Sequence, residues 1–157
     1  MQGRGPRFVP LMTGIDEEDR EGVAEANRTF YRAFMRRDMA ALNTLWASAT
    51  PVACLHPGQA PLFDRAAIMA SWQAIMRNPT TPTEIRIVED RVIVRGRMGM
   101  VICREILPSA HLMATNMFVR EGDAWKIAHH QSAVAPPPKD RPTQPAAAPK
   151  RDRRHLH

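Results

Sequence analysis

The sequence predicts an α+β fold: a cone-shaped, curved antiparallel sheet packed against three N-terminal helices. Three observations carry this. Apolar residues recur at helical spacing through the first half of the chain, in stretches opened by acidic residues and closed by prolines or a new cap. From about Thr83 the pattern changes to runs rich in Val, Ile, Met, Phe and Trp, separated by short glycine-containing turns. One of these runs loses its alternation near Glu89-Asp90, as a β-bulge would require, and bulges curve a sheet. Helices followed by a curved meander leave a pocket between the concave face and the helices.

Residues 1–14, with three glycines and two prolines, read as a flexible arm, and a single domain follows over 15–134. DEEDREG places acids where a helix N-terminus favours them. Val23, Asn27, Phe30 and Phe34 then form an amphipathic stripe, with Arg28, Arg32 and Arg36 opposite, in a helix running to about Arg37. Asp38 is placed to cap a second helix, Met39 to about Ala47, that buries Leu42, Leu45 and Trp46. Pro51 ends it, and VACLHPG forms a short strand halted by Pro57-Gly58. Asp64 caps a third helix from about Arg65 to Arg77, with Ile68, Trp72, Ile75 and Met76 on one stripe. Four sequential strands follow, the last two joined at Glu121-Gly122-Asp123. Ala135 to His157 is rich in Pro, Ala and charge, with no apolar repeat, and is expected to be disordered.

The net charge of +6 belongs to the ends. Lys139 to His157 carries six basic and two acidic residues and the first fourteen residues two arginines, which leaves Ile15 to Val134 with fourteen of each sign. A basic tail without aromatics offers little specificity, so a nucleic-acid partner is not expected. Cys54 and Cys103 lie far apart in apolar contexts and read as buried reduced thiols, which fits the cytoplasm. No leader pattern and no run of about eighteen apolar residues is present, so no membrane association is expected.

Taken in this order, the helices, the strand ending CLHPG, the helix AAIMASW and the terminal strand WKIAHHQSA resemble the SnoaL-like branch of the nuclear transport factor 2-like superfamily. The resemblance covers roughly Asp16 to Ala133. Two positions depart from the family pattern: Asp64 stands where glycine is expected, and Gln131 where many relatives carry a third histidine. The resemblance implies a cone that dimerises through its sheet. The superfamily includes ketosteroid isomerase, scytalone dehydratase, polyketide cyclases, limonene epoxide hydrolase and the association domain of calcium/calmodulin-dependent kinase II, so fold alone does not name a reaction.

Candidate residues follow from alternation and from this resemblance. Strict alternation puts Trp125, Ile127, His129 and Gln131 on one strand face and Lys126, Ala128, His130 and Ser132 on the other. The resemblance turns His130 and Ser132 inward with Asn116 and Phe118, and gives Trp125, Ile127 and His129 to a dimer interface. His130 then has three open roles: satisfying buried polar groups, orienting a ligand, or acting as general base. Arg104 and Glu105 must face opposite ways, and an internal Glu105 would be a second candidate proton carrier. His56 stands at a rim or turn, and Trp72 either packs in the core or lines the cavity. Cys54 and His56 share a face but lack a third and fourth ligand at metal spacing, so neither metal nor cofactor is expected. The function expected is a dimeric cone binding a small, largely apolar ligand. The alternatives are a cofactor-independent isomerase, dehydratase or cyclase using His130 or Glu105, and a protein–protein assembly module.

Overall fold

The computed structural model describes residues 15–138. The arm expected over 1–14 and the basic part of the tail, 139–157, lie outside the described residues. The elements run α1 (Ile15–Met35), α2 (Met39–Leu45), β1 (Ala53–Leu55), α3 (Arg65–Arg77), β2 (Arg86–Arg95), β3 (Met98–Ile106), β4 (His111–Glu121) and β5 (Ala124–Val134). Both aspartate caps form as the sequence predicts: Asp38 accepts from the Ala41 amide and Asp64 from the Ala67 amide, each at 2.9 Å. A cap of this kind satisfies one of the amides that a helix start leaves unpaired.

One sheet contains all five strands in the order β1-β5-β4-β3-β2. The meander β2–β5 is antiparallel throughout, but β1 joins β5 in parallel, with Cys54 opposite His130, so the sheet is mixed. Gly96 and Gly122, at φ 57° and 62°, turn the β2–β3 and β4–β5 hairpins in a backbone region that costs a side-chain-bearing residue energy. The register shifts between Glu89 and Arg91, where the phase break predicts a bulge. It shifts again in β5, where Met117 pairs with His129 but Phe118 pairs with Ile127, leaving Ala128 as the extra residue.

The helices cover the concave face. Val23, Phe30, Leu42, Trp46, Ile68, Val101, Phe118 and Ile127 are buried in one core cluster, and large apolar side chains of this kind contribute about 1.5–3 kcal/mol each. α1 crosses β3 so closely that a Cβ on Gly99 would collide with Val23. The start of α1 crosses Trp125 as closely, since a Cβ on Gly22 would stand 2.8 Å from the indole.

That packing overturns part of the expected interface. Trp125 and Ile127 do not lie on the outer face with His129; both are in the chain's own core, Ile127 completely. The physical reason is the extra residue at Ala128. It advances the alternation by one position, so Trp125 and Ile127 come round to the face of His130 and Ser132. His129 alone of the three stays outside, half-buried.

Candidate functional site

Three neighbouring strands aim polar side chains into the space beneath α1. In the β4–β5 register Asn116 lies opposite His130 and Ala114 opposite Ser132, while β3 contributes Glu105. All four polar groups are nearly or fully buried. The helix completes the set with Asn27 and Tyr31, one turn apart on its inward stripe. The Tyr31 hydroxyl donates to Glu105 Oε1 at 2.8 Å and Ser132 Oγ donates to Glu105 Oε2 at 2.6 Å. Asn116 Nδ2 donates to Asn27 Oδ1 at 2.8 Å and to the Tyr31 oxygen at 3.1 Å. Asn116 Oδ1 lies 2.7 Å from His130 Nδ1, so that nitrogen carries the proton and Nε2 keeps the lone pair.

Beside this network lies a cavity of about 170 Å³. Phe30, Phe34, Trp72 and Ile75 form its apolar wall, and Tyr31, His56, Glu105, His130 and Ser132 contribute polar groups. Loop residues Pro57, Thr81, Pro82 and Leu107 complete the lining at its mouth, with Leu112 at the start of β4. His56 Nε2 is hydrogen-bonded to Ser71 Oγ and lies 3.7 Å from Cys54 Sγ. Trp72 Nε1 has no hydrogen-bond partner among the described residues.

Burial sets the protonation states. Loss of water, and then the neighbouring His56 and His129 rings, push the His130 pKa down to about 3, so its imidazole is neutral at ordinary pH. Burial also lowers His56, and raises Cys54 to about 12, which leaves its thiol protonated. Glu105 moves the other way: burial raises it, and the Ser132 and Tyr31 hydroxyls pull it back only in part. Tyr31 is held well above its usual value by burial and by the adjacent Glu105.

The expected residues therefore divide. His56, Trp72, Glu105, His130 and Ser132 meet at the cavity. Asn116 and Phe118 do not line it: Asn116 lies beneath the wall as the partner of His130, and Phe118 is fully enclosed in the core opposite Ile127. Both are buried on the inner face, but α1 covers Asn116, whose amide is bonded to Asn27 and Tyr31. Of the adjacent pair on β3, Glu105 is internal, while Arg104 lies outside and donates to the Pro136 carbonyl at 2.9 Å. Tyr31, Asn27 and Ser71 were not singled out by the sequence. The available signal was Asn27, a polar residue inside an apolar stripe, with Tyr31 four positions on. Among the described residues no three His, Cys, Asp or Glu side chains converge as a metal site requires, and no helix is long and apolar enough to cross a membrane.

Comparison with known proteins gives a consistent picture. A family model described as SnoaL-like domain matches residues 23–137. A solved structure from Streptomyces avermitilis, provisionally described as a dehydratase from the nuclear transport factor 2-like family, is 30% identical. Its TM-score is 0.68, over 77% of this chain and 99% of that one. A Thiobacillus denitrificans protein, provisionally described as a calcium/calmodulin-dependent protein kinase type II association domain, is 28% identical. Its TM-score is 0.65, over 71% of this chain and 93% of that one. A Pectobacterium atrosepticum protein of unknown function shares the fold at 15% identity and a TM-score of 0.67, over 80% and 99% of the two chains. No curated protein sequence matches significantly.

Proposed function

The chain belongs to the SnoaL-like domain family, and on that premise we propose that its cavity binds a small molecule of largely apolar surface. The observation that carries this reading is an aromatic-walled space of about 170 Å³ next to a buried carboxylate. An apolar cavity of about 150 Å³ accommodates benzene, so the space suits one ring or its equivalent rather than a fused polycycle. The unpartnered Trp72 indole N–H is a donor that an oxygen on the ligand would satisfy.

The test is a panel of neutral, anionic and cationic compounds of up to about one ring, screened by saturation-transfer NMR against the full chain. Binding that disappears in Ile75→Trp and Leu112→Trp, which place bulk at two different parts of the cavity, supports the reading. Absence of any binder, or binding indifferent to both variants, overturns it.

A second reading, an isomerase- or dehydratase-type reaction, is favoured by one specific observation. Glu105 is a carboxyl group in a largely apolar cavity whose pKa is raised by burial, the direction that favours its holding a proton to donate. His130 is the weaker candidate, because a pKa of about 3 makes it a poor base at pH 7. A substrate that turns over with wild-type protein and not with Glu105→Gln supports this reading; equal turnover removes it.

A homodimer through the outer sheet face is part of the same reading. On that face Met100 pairs with Met117, Ile102 with Thr115 and Arg104 with Met113 across β3 and β4, with His129 opposite Met117 on β5, and a second copy would cover them. Light scattering should give a dimer for the wild type and a monomer for Met117→Arg.

A further inference from the structure

Glu105 is 5% exposed, and no ion pair among the described residues includes it. Among those residues two neutral hydroxyls, from Tyr31 and Ser132, are the hydrogen-bond donors on its oxygens. They compensate part of the cost of burying a carboxylate, but a counter-charge is what such a group ordinarily finds. The cavity wall does not supply one. No Lys or Arg among the described residues lines it, and burial keeps His56 and His130 neutral. An anion entering this space would meet Glu105 unopposed, a neutral molecule would leave its charge to be relieved only by uptake of a proton, and a cation would provide the missing charge.

The rest of the wall suits a cation of a particular kind. Phe30, Tyr31, Phe34 and Trp72 all border the cavity. Their rings pack edge to face on one another, at 73° for Phe30 and Tyr31, 80° for Phe30 and Trp72 and 76° for Phe34 and Trp72, which holds this aromatic wall rigid. The negative face of an aromatic ring attracts a cation, most strongly where water is excluded. A primary ammonium would need acceptors for three N–H groups. Each Glu105 oxygen already accepts a hydroxyl, so a primary ammonium would have to share them and turn to His130 Nε2 and Ser132 Oγ for the rest, in a wall that is otherwise mostly apolar. A fully methylated ammonium needs none and presents an apolar surface to apolar walls. Its size also fits about 170 Å³, where a fused polycycle does not.

We propose that the cavity recognises a small quaternary ammonium group, with the aromatic wall holding its methyl groups and Glu105 supplying the counter-charge. This rests on the small-molecule reading above and narrows it to one chemical class.

Choline and its uncharged isostere 3,3-dimethylbutan-1-ol distinguish charge from shape. In titration calorimetry with the full chain at pH 7.5, choline should bind at least tenfold more tightly than the isostere. Glu105→Gln should weaken choline to the level of the isostere and leave the isostere unchanged. Phe34→Leu should weaken choline more than the isostere, and it carries the test if Glu105→Gln does not fold. An isostere that binds as tightly as choline, or choline binding that is indifferent to both substitutions, overturns the cation and leaves the small-molecule reading standing. The cation is likewise overturned, and it alone, if neither compound binds while other members of the NMR panel do. If nothing in that panel binds either, both readings fall together.

Discussion

The Tyr31 hydroxyl donates to Glu105 Oε1 at 2.8 Å, and that bond, together with the Asn27 oxygen that accepts from Asn116, sets the direction of the hydrogen bonds leading to His130. A phenol has a single O–H hydrogen. With that hydrogen directed at an acceptor-only carboxylate, the Tyr31 oxygen can only accept, so Asn116 must present Nδ2 to it and Oδ1 to His130. His130 is thereby held with its proton on Nδ1. The charge on β3 decides the tautomer of an imidazole on β5, through one residue of α1 and one of β4.

Tyr31→Phe should break this chain at its first link. Glu105 loses a donor and Asn116 keeps only Asn27 Oδ1 to orient its amide, so the Nδ1–H form of His130 should lose part of its preference. Leaving a buried acceptor without its donor costs about 1–3 kcal/mol. Urea unfolding should report the loss, and nitrogen-15 imidazole NMR should show a single Nδ1–H form in the wild type and a mixture in the variant.

Glu105 should make stability depend on pH with a defined sign. Its folded pKa is raised, first by burial, so the native state holds the proton more tightly than the unfolded chain does. The stability this confers is full below the unfolded pKa and is lost as pH rises through the folded one. Glu105→Gln carries no charge to bury. Its melting temperature should therefore improve relative to wild type between pH 5 and pH 8, and a constant or shrinking difference would contradict a buried acid.

His130 titrates in the opposite sense. Burial holds its folded pKa at about 3, below the ordinary histidine value of 6.5, so folding favours the neutral ring. Its contribution is complete above the unfolded pKa and declines as pH falls from there toward the folded one, by up to about 1.4 kcal/mol per pH unit. Guanidinium midpoints measured from pH 7 to pH 4 should fall steeply in the wild type and less steeply in His130→Gln.

Arg37 should control the mouth of the cavity. Its guanidinium donates to the carbonyl of Met76, to that of Asn78 at 3.3 Å and to that of Thr81 at 3.2 Å, pinning the end of α3 and the loop that carries Thr81 and Pro82. Arg37→Ala should speed hydrogen exchange across residues 78–85 while β3 and β4 stay protected. Arg37 also sits at φ 55°, so Arg37→Gly should be more stable than Arg37→Ala by about 1 kcal/mol although both lose the latch.

Much of the fold was legible because its signals are local. Asp38 and Asp64 cap helices with their own following amides, Gly96 and Gly122 turn hairpins, and lost alternation at Glu89-Asp90 marks a bulge within one strand. The site was legible in part. The family resemblance turned His130 and Ser132 inward, while His56, Trp72 and Glu105 were candidates with their placement open, and all five meet at the cavity. Tyr31 passed unnoticed because nothing near it in sequence says that its hydroxyl will meet a carboxylate 74 positions away.

By itself, then, the sequence determined the order and type of the elements, their caps and turns, and the family to which residues 23–137 belong. Those follow from dihedral preferences and apolar spacing, which each segment carries within itself. Only the tertiary structure decided that Trp125 and Ile127 are core, that Asn116 stands behind His130 rather than beside a ligand, and that Glu105 is the internal member of its pair. Each depends on register between strands, and the extra residue at Ala128 exists only as a mismatch with β4.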